Sequence, residues 1–154
     1  VAAIILADDS DRLDQIRRLF REYEAWLEIS LCFQDFEQEL ANLPGKYAPP
    51  KGRLYLLEAD QQFVGCAALR PLDEITAEVK RLYVNPNYRN RSFGKMLMNK
   101  LIAEAGFIGY HRLVLDTLPK MSAAIQLYRS LGFRDTLPYY DNPVEGVVYM
   151  ELAL

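Results

Sequence analysis

The stretch 79–98, VKRLYVNPNYRNRSFGKMLM, gathers the residues best suited to chemistry. An alternating apolar run stops at Asn85-Pro86, and a polar loop then carries Arg89, Asn90, Arg91 and Ser92 up to Phe93, Gly94 and Lys95. From there the apolar residues recur at helical spacing. Such a junction suits a phosphate chain. The first turn of a helix offers unpaired N–H groups and the positive end of its dipole. Gly94 lets a ligand approach the backbone closely. Arg89 and Arg91 add forked, charge-assisted donors, and Lys95 adds a cation. The expected cradle is the run of backbone amides from 90 to 95. A solvated loop ahead of a helix has much the same composition, so the stretch alone leaves both readings open.

Two nucleotide motifs are excluded. A nucleotide-triphosphate loop needs Ser or Thr after Gly-Lys, and Met96 stands there; it also needs a glycine at 89, where this chain has Arg. The dinucleotide pattern G-x-G-x-x-G fails as well, since Asn90 and Ser92 are not glycines.

The elements that must hold this loop can be read from periodicity. Residues 2–7 predict a short buried strand rather than a signal peptide, because no basic segment precedes them. Asp9 or Ser10 caps a helix in which Leu13, Ile16, Phe20, Tyr23 and Leu27 share one face. A second helix is expected over 33–43, then a loop over 44–52. Strands follow at 53–59, 62–70 and 76–84, joined by hairpin turns. A helix runs from Gly94 to about 105, a strand covers 112–117, and a helix covers 122–131 with Gly132 as its C-cap. Strands from Phe133 and over VVYMELAL complete the order β-αα-βββ-α-β-α-ββ. Mixed strands with helices on the faces imply one α/β domain over 1–154. The 84–112 crossover is long enough for a right-handed parallel connection.

Composition narrows the partners. The chain of 154 residues is 51% hydrophobic with a formal net charge of −3, a balance that weighs against nonspecific nucleic-acid binding. No run of 18 apolar residues predicts a membrane span. Two cysteines are too few for a disulfide framework, which reads as a reducing, cytoplasmic setting. A single histidine, His111, weighs against a zinc site, and no metal is expected.

The chain resembles the GCN5-related N-acetyltransferase (GNAT) superfamily. The family motif Q/R-x-x-G-x-G/A is met by Arg89 and Gly94, with Ser92 in place of the first glycine. Residues 123–133, AAIQLYRSLGF, match A-A-x-x-L-Y-x-x-x-G-F, and 78–91, EVKRLYVNPNYRNR, resemble the central strand and its loop. The resemblance implies the acyl-CoA N-acyltransferase fold: a mixed, mostly antiparallel sheet, helices on both faces and a splayed parallel strand pair. It implies acetyl transfer from acetyl-CoA to a primary amine, by direct attack in a ternary complex, with coenzyme A released. The alternative within the same fold is a non-catalytic acyl-CoA-binding or sensor domain.

Roles follow from the resemblance. The coenzyme diphosphate belongs at 90–95, and its pantetheine arm against Leu82, Tyr83 and Val84, with Ala124 nearby. Many relatives bind that arm with an Asn seven residues before the helix tyrosine; Met121 stands there, so either Thr117 or a backbone group takes the contact or the contact is absent. Tyr128 is the expected general acid and Glu78 the general base, with Glu145 as runner-up; Asp116 reads as a turn cap. Trp26, Tyr139, Tyr140 and Asp141 are expected to wall the acceptor, a small-molecule or peptide amine, although Trp26 also suits plain core packing. Cys66 in an alternating strand reads as a small buried hydrophobe. Symmetry favours a homodimer.

Overall fold

The structure is a computed structural model and describes all 154 residues. In chain order the elements are β1 (Ala3–Leu6), α1 (Ser10–Leu27), α2 (Phe36–Ala41), β2 (Arg53–Ala59), β3 (Gln62–Pro71), β4 (Thr76–Val84), α3 (Phe93–Ile108), β5 (Arg112–Thr117), α4 (Ser122–Ser130), β6 (Arg134–Asp135) and β7 (Val148–Ala153). They build one seven-stranded sheet in the order β1-β2-β3-β4-β5-β7-β6. Every neighbouring pair is antiparallel except β4 and β5. The mixed sheet with one parallel pair is the expected architecture.

Each face carries its own core. Leu97, Met98, Leu101 and Ala105 of α3 bury against Leu57, Leu69, Ala77 and Leu113 on one side. Ile16, Leu19, Phe20 and Leu27 of α1 join Phe36 and Leu40 of α2 over Leu54, Leu56, Cys66 and Tyr83 on the other. The helical spacing in the sequence thus marks both buried faces. Asp9 is the α1 N-cap, its Oδ1 accepting the Arg12 N–H at 2.8 Å. The turn between β2 and β3 holds Asp60 and Gln61 at φ +51° and +63°, the left-handed pair that a tight hairpin requires.

Three expectations are corrected. The helix over 33–43 is broken. A 3-10 turn over Cys32–Gln34 ends at Asp35, whose φ of +55° stops one helix and starts the next. Pro44 disfavours helical backbone at Leu43, so α2 ends at Ala41. Second, β1 is not a buried strand: it is an edge strand paired only with β2, and its residues are half-buried or exposed. Third, the strand from Phe133 shrinks to Arg134–Asp135, with loop from there to β7.

The feature that makes the site is a divergence between β4 and β5. Their pairing covers only Thr76↔Arg112, Ala77↔Leu113 and Glu78↔Val114, yet β4 continues to Val84 and β5 to Thr117. The cause lies on the other edge of β4. Lys80 pairs with Ala68 and Tyr83 with Cys66, so Arg81 and Leu82 together oppose Ala67. This is a β-bulge, with Arg81 at φ +58°. A bulge bends its strand and increases its twist, and here it turns β4 away from β5.

Candidate active site

A groove of about 570 Å³ lies where β4 leaves β5. Its floor is Leu82, Tyr83 and Val84, one wall is α4 with Ala124 and Leu127, and its far end is the loop entering α3. Asn85 donates its backbone N–H to Val64 on the β3 side at 2.8 Å. Strand alternation therefore turns the amide and carbonyl groups of Val84 and Leu82 toward the groove.

The entrance to α3 is unusually bare. Its first intrahelical bond runs from the Met96 N–H to the Ser92 carbonyl at 3.0 Å. Ser92 makes no side-chain cap. The backbone N–H groups from Asn90 to Lys95 have no acceptor in the chain. Asn90 and Ser92 both sit in left-handed conformations, at φ +65° and +62°. Turns of this kind point successive amides to one side and form a concave anion site. Asn90, Ser92, Phe93, Gly94 and Lys95 all line the groove. A Cβ built on Gly94 meets only Leu127, at 3.4 Å, so the position is open on the groove side.

The arginines divide their roles. Arg89 lines the groove, but its Nε donates to the Val84 carbonyl at 3.0 Å and its guanidinium lies 4.2 Å above the Trp26 ring. It thereby ties the loop to the end of β4. Arg91 lies outside the groove. It is exposed, pairs with Asp60 at 3.3 Å and covers the Tyr88 ring at 5.2 Å. Trp26, expected on the acceptor side, lines this groove instead. Tyr88 and Lys120 also line it and were not anticipated. Lys120 is held by the Leu27 carbonyl, at 2.7 Å, an interaction between residues too distant in sequence to be legible.

A second, smaller cavity of about 60 Å³ opens on the α1 side of the same gap. Met121 lines both spaces, so the two share a wall. Thr117, expected beside the coenzyme, lines this cavity. Its apolar boundary includes Leu27, Ile29, Leu31 and Phe33, and its polar groups are Gln34, Lys80, Arg81, Asp116 and Asn142. Arg81 is neutralised by Glu39, which accepts from its Nε at 3.0 Å and its Nη2 at 2.8 Å. Tyr140 donates its hydroxyl to Asp116 Oδ2, and Asn142 Nδ2 reaches the same oxygen at 2.9 Å. Burial and the Asp116 carboxylate both push the Tyr140 phenol up, so it stays a donor. Tyr140, expected to wall the acceptor, does not itself line this cavity; it bonds Asp116 and Asn142, which do. Asp141 is exposed and does not line the cavity either; the carboxylate that does is Asp116.

Glu78 is fully buried and lines neither space. Its Oε1 accepts from Arg70 at 2.8 Å and its Oε2 from the Tyr139 hydroxyl at 2.6 Å. Tyr139 thus meets Glu78 rather than the cavity. Burial, then the Glu78 and Asp116 charges, push its phenol up. Glu145, the runner-up, is exposed and lines neither space. Tyr128, on the buried side of α4, lines neither space, and its ring lies 5.8 Å from that of Phe133. Burial pushes its phenol up, and the nearby Tyr23 and Asp116 add to the push. No group of three or more His, Cys, Asp or Glu is arranged to hold a metal, and no helix is long and apolar enough to cross a membrane.

The acetyltransferase (GNAT) family model matches residues 13–133. The whole chain is 39% identical to an "uncharacterized N-acetyltransferase" of Schizosaccharomyces pombe, covering 94% of it. An acetyltransferase from Streptococcus agalactiae superimposes with a TM-score of 0.83 over 99% of this chain and 98% of that one, at 23% identity, a likeness of fold. A GNAT acetyltransferase from Elizabethkingia anophelis, solved with acetyl-CoA bound, matches with a TM-score of 0.58 at 26% identity, over 68% of this chain and 77% of that one.

Proposed function

Given that this chain belongs to the acetyltransferase (GNAT) family, we propose that it transfers an acetyl group from acetyl-CoA to a primary amine by direct attack in a ternary complex. The observation that carries this reading is the unpaired run of amides from Asn90 to Lys95, opening onto a groove that follows the bare edge of β4. The groove fits the coenzyme. The amides and Lys95 suit a diphosphate, and the backbone of Leu82 with the N–H of Val84, whose carbonyl Arg89 occupies, suits the amides of a pantetheine arm. The solved relative from Elizabethkingia anophelis, with acetyl-CoA bound, supports the same cosubstrate.

Acetyl-CoA supplies an acyl group already activated as a thioester, so no protein nucleophile is required. Cys66 is unsuited to that role: it is buried, its thiol is pushed up by desolvation, and its Sγ bonds the Arg81 carbonyl at 3.3 Å. The protein's work is to take a proton from an ammonium of pKa about 10 and to give one to a thiolate whose acid has pKa about 8–9. We assign the first task to Asp116, the carboxylate on the wall of the smaller cavity. Glu78 supports that site from behind, through Tyr139 and Arg70. Tyr128 holds the second proton, since its raised phenol remains protonated well above neutrality. Cys32 is exposed and Cys66 unpaired, which suits a reducing cytoplasmic setting, and a homodimer is the assembly that symmetry favours.

The test is thiol release with acetyl-CoA over a panel of amines. Turnover of at least one amine is expected, with Asp116→Asn lowering kcat about 100-fold or more while coenzyme affinity holds. Tight coenzyme binding without turnover of any amine would instead favour a non-catalytic domain.

A further inference from the structure

Building on that reading, we infer that the acceptor is a small amino acid, whose carboxylate is held by Lys80 and whose amine faces Asp116. The smaller cavity is lined by one cation and one anion that the protein leaves incompletely matched, the pair of charges a zwitterion complements.

Lys80 is 5% exposed. Its ammonium has three donors, yet it makes one hydrogen bond, to Gln34 Oε1 at 3.1 Å. Its nearest carboxylate oxygen is Glu78 Oε2, 3.8 Å away and already accepting the Tyr139 hydroxyl at 2.6 Å. Arg81, the neighbouring cation, is satisfied in bidentate fashion by Glu39. Lys80 is therefore the cation with donors to spare on this wall. Asp116 complements it: both Tyr140 and Asn142 bond Oδ2, and Oδ1 has no donor in the chain.

An acceptor that brought only an ammonium would add another cation beside Lys80 and leave the lysine with no anion at hydrogen-bond distance, Glu78 Oε2 being 3.8 Å away, in a poorly hydrated space. Uncompensated buried charge is costly. A carboxylate on the acceptor removes both penalties. The same argument disfavours polyamines and protein lysines. Size agrees. A cavity of about 60 Å³ has room for roughly four to six waters, the scale of a carboxylate and its α-carbon. The apolar lining of Leu27, Ile29, Leu31 and Phe33 then faces the acceptor's own side chain.

The experiment is thiol release with acetyl-CoA and the common amino acids, each assayed beside its carboxamide and its decarboxylated amine. The amides carry the less basic amine, so deprotonation cannot account for an advantage of the acids. At least one acid is expected to exceed its amide and amine in kcat/KM by roughly 10- to 100-fold. Lys80→Met should collapse that ratio and Lys80→Arg should retain it, with coenzyme affinity, measured by titration, unchanged in both. A merely structural lysine would lower all three acceptors alike and leave the ratio standing, which overturns the inference. Turnover of plain amines or amides equal to the acids also overturns it and leaves the transfer reading intact. No turnover of any acceptor by a protein that binds coenzyme overturns both.

Discussion

Lys80 and Arg81 are consecutive residues of β4, yet both donate to one atom, Gln34 Oε1, at 3.1 and 2.7 Å. In a regular strand they would point to opposite faces. The bulge at Arg81 puts both on the α1 side, while Leu82 and Val84 return to the α3 side and the groove. The irregularity that opens the larger groove therefore also assembles the charged lining of the smaller cavity.

The Arg81–Glu39 pair is buried on the arginine side, with side chains 3% and 14% exposed. Removing one member strands the other charge. Arg81→Met should destabilise the fold by about 3 kcal/mol, and the double change with Glu39→Gln should recover part of that loss. Denaturant titration of the two single variants and the double variant gives the coupling, and additive losses would show the pair to be uncoupled.

Gly94 tests the cradle separately from the fold. The nearest atom to a new Cβ is Leu127 Cδ2 at 3.4 Å, and alanine is favoured over glycine inside a helix by roughly 1 kcal/mol. Gly94→Ala should fold with equal or higher Tm. Gly94→Val should keep its fold while weakening coenzyme binding on the order of tenfold, by crowding the amides. Calorimetric titration with coenzyme A decides it; wild-type affinity in the valine variant would remove Gly94 from the contact surface.

Ser92 stands where the family motif has glycine, at φ +62° and ψ 22°. Left-handed backbone costs a residue with a Cβ roughly 1–2 kcal/mol, and glycine's greater freedom when unfolded offsets part of it. Ser92→Gly should raise stability by about 0.5–1 kcal/mol and leave coenzyme affinity unchanged. A loss of affinity would show that the serine hydroxyl contributes to the site.

Tyr128 should act through its proton alone. Tyr128→Phe keeps the ring packed on Phe133. We expect kcat to fall about 100-fold, with Tm and coenzyme affinity close to wild type. Unchanged turnover across the pH range would leave the phenol a packing residue.

Alkali should ionise the phenols that the fold withdraws from water, partly at Tyr23 and fully at Tyr128. Tyr23 is raised from 10.0 to about 12, chiefly by burial. The folded state thus holds this proton more tightly than the unfolded chain does. Its stabilising effect is complete below pH 10.0 and is lost as pH rises toward about 12. Within that window this residue alone should lower stability by about 1.4 kcal/mol per pH unit. Tyr128 is raised by burial too and steepens the fall. Melting curves from neutral to alkaline pH, read with tyrosinate absorbance, should show ionisation and unfolding together; tyrosines ionising freely in a folded protein would refute it.

Most of the lining of the larger groove, which we propose for the coenzyme, was legible in the sequence because it is nearly contiguous. Leu82 to Lys95 comprise a strand end, a loop and a helix start, and their amides are positioned by local backbone preferences. Ala124 entered through a motif on a single helix. Ser92 marked in advance the position at which left-handed backbone would be needed. The smaller cavity was not legible, because Gln34, Lys80, Asp116 and Asn142 come from four separate parts of the chain and meet only when the sheet closes. One local sign existed. Lys80 and Arg81 stand side by side between Val79 and Leu82 in a strand that otherwise alternates, and two adjacent charges in a buried strand mark a bulge. Which carboxylate would be free could not be read from residue type at all. Glu78 and Asp116 are both acids on central strands, but Arg70 and Tyr139 converge on Glu78 while one oxygen of Asp116 stays open. Local geometry follows from neighbours in the chain, whereas the pairing of buried charges follows from neighbours in space.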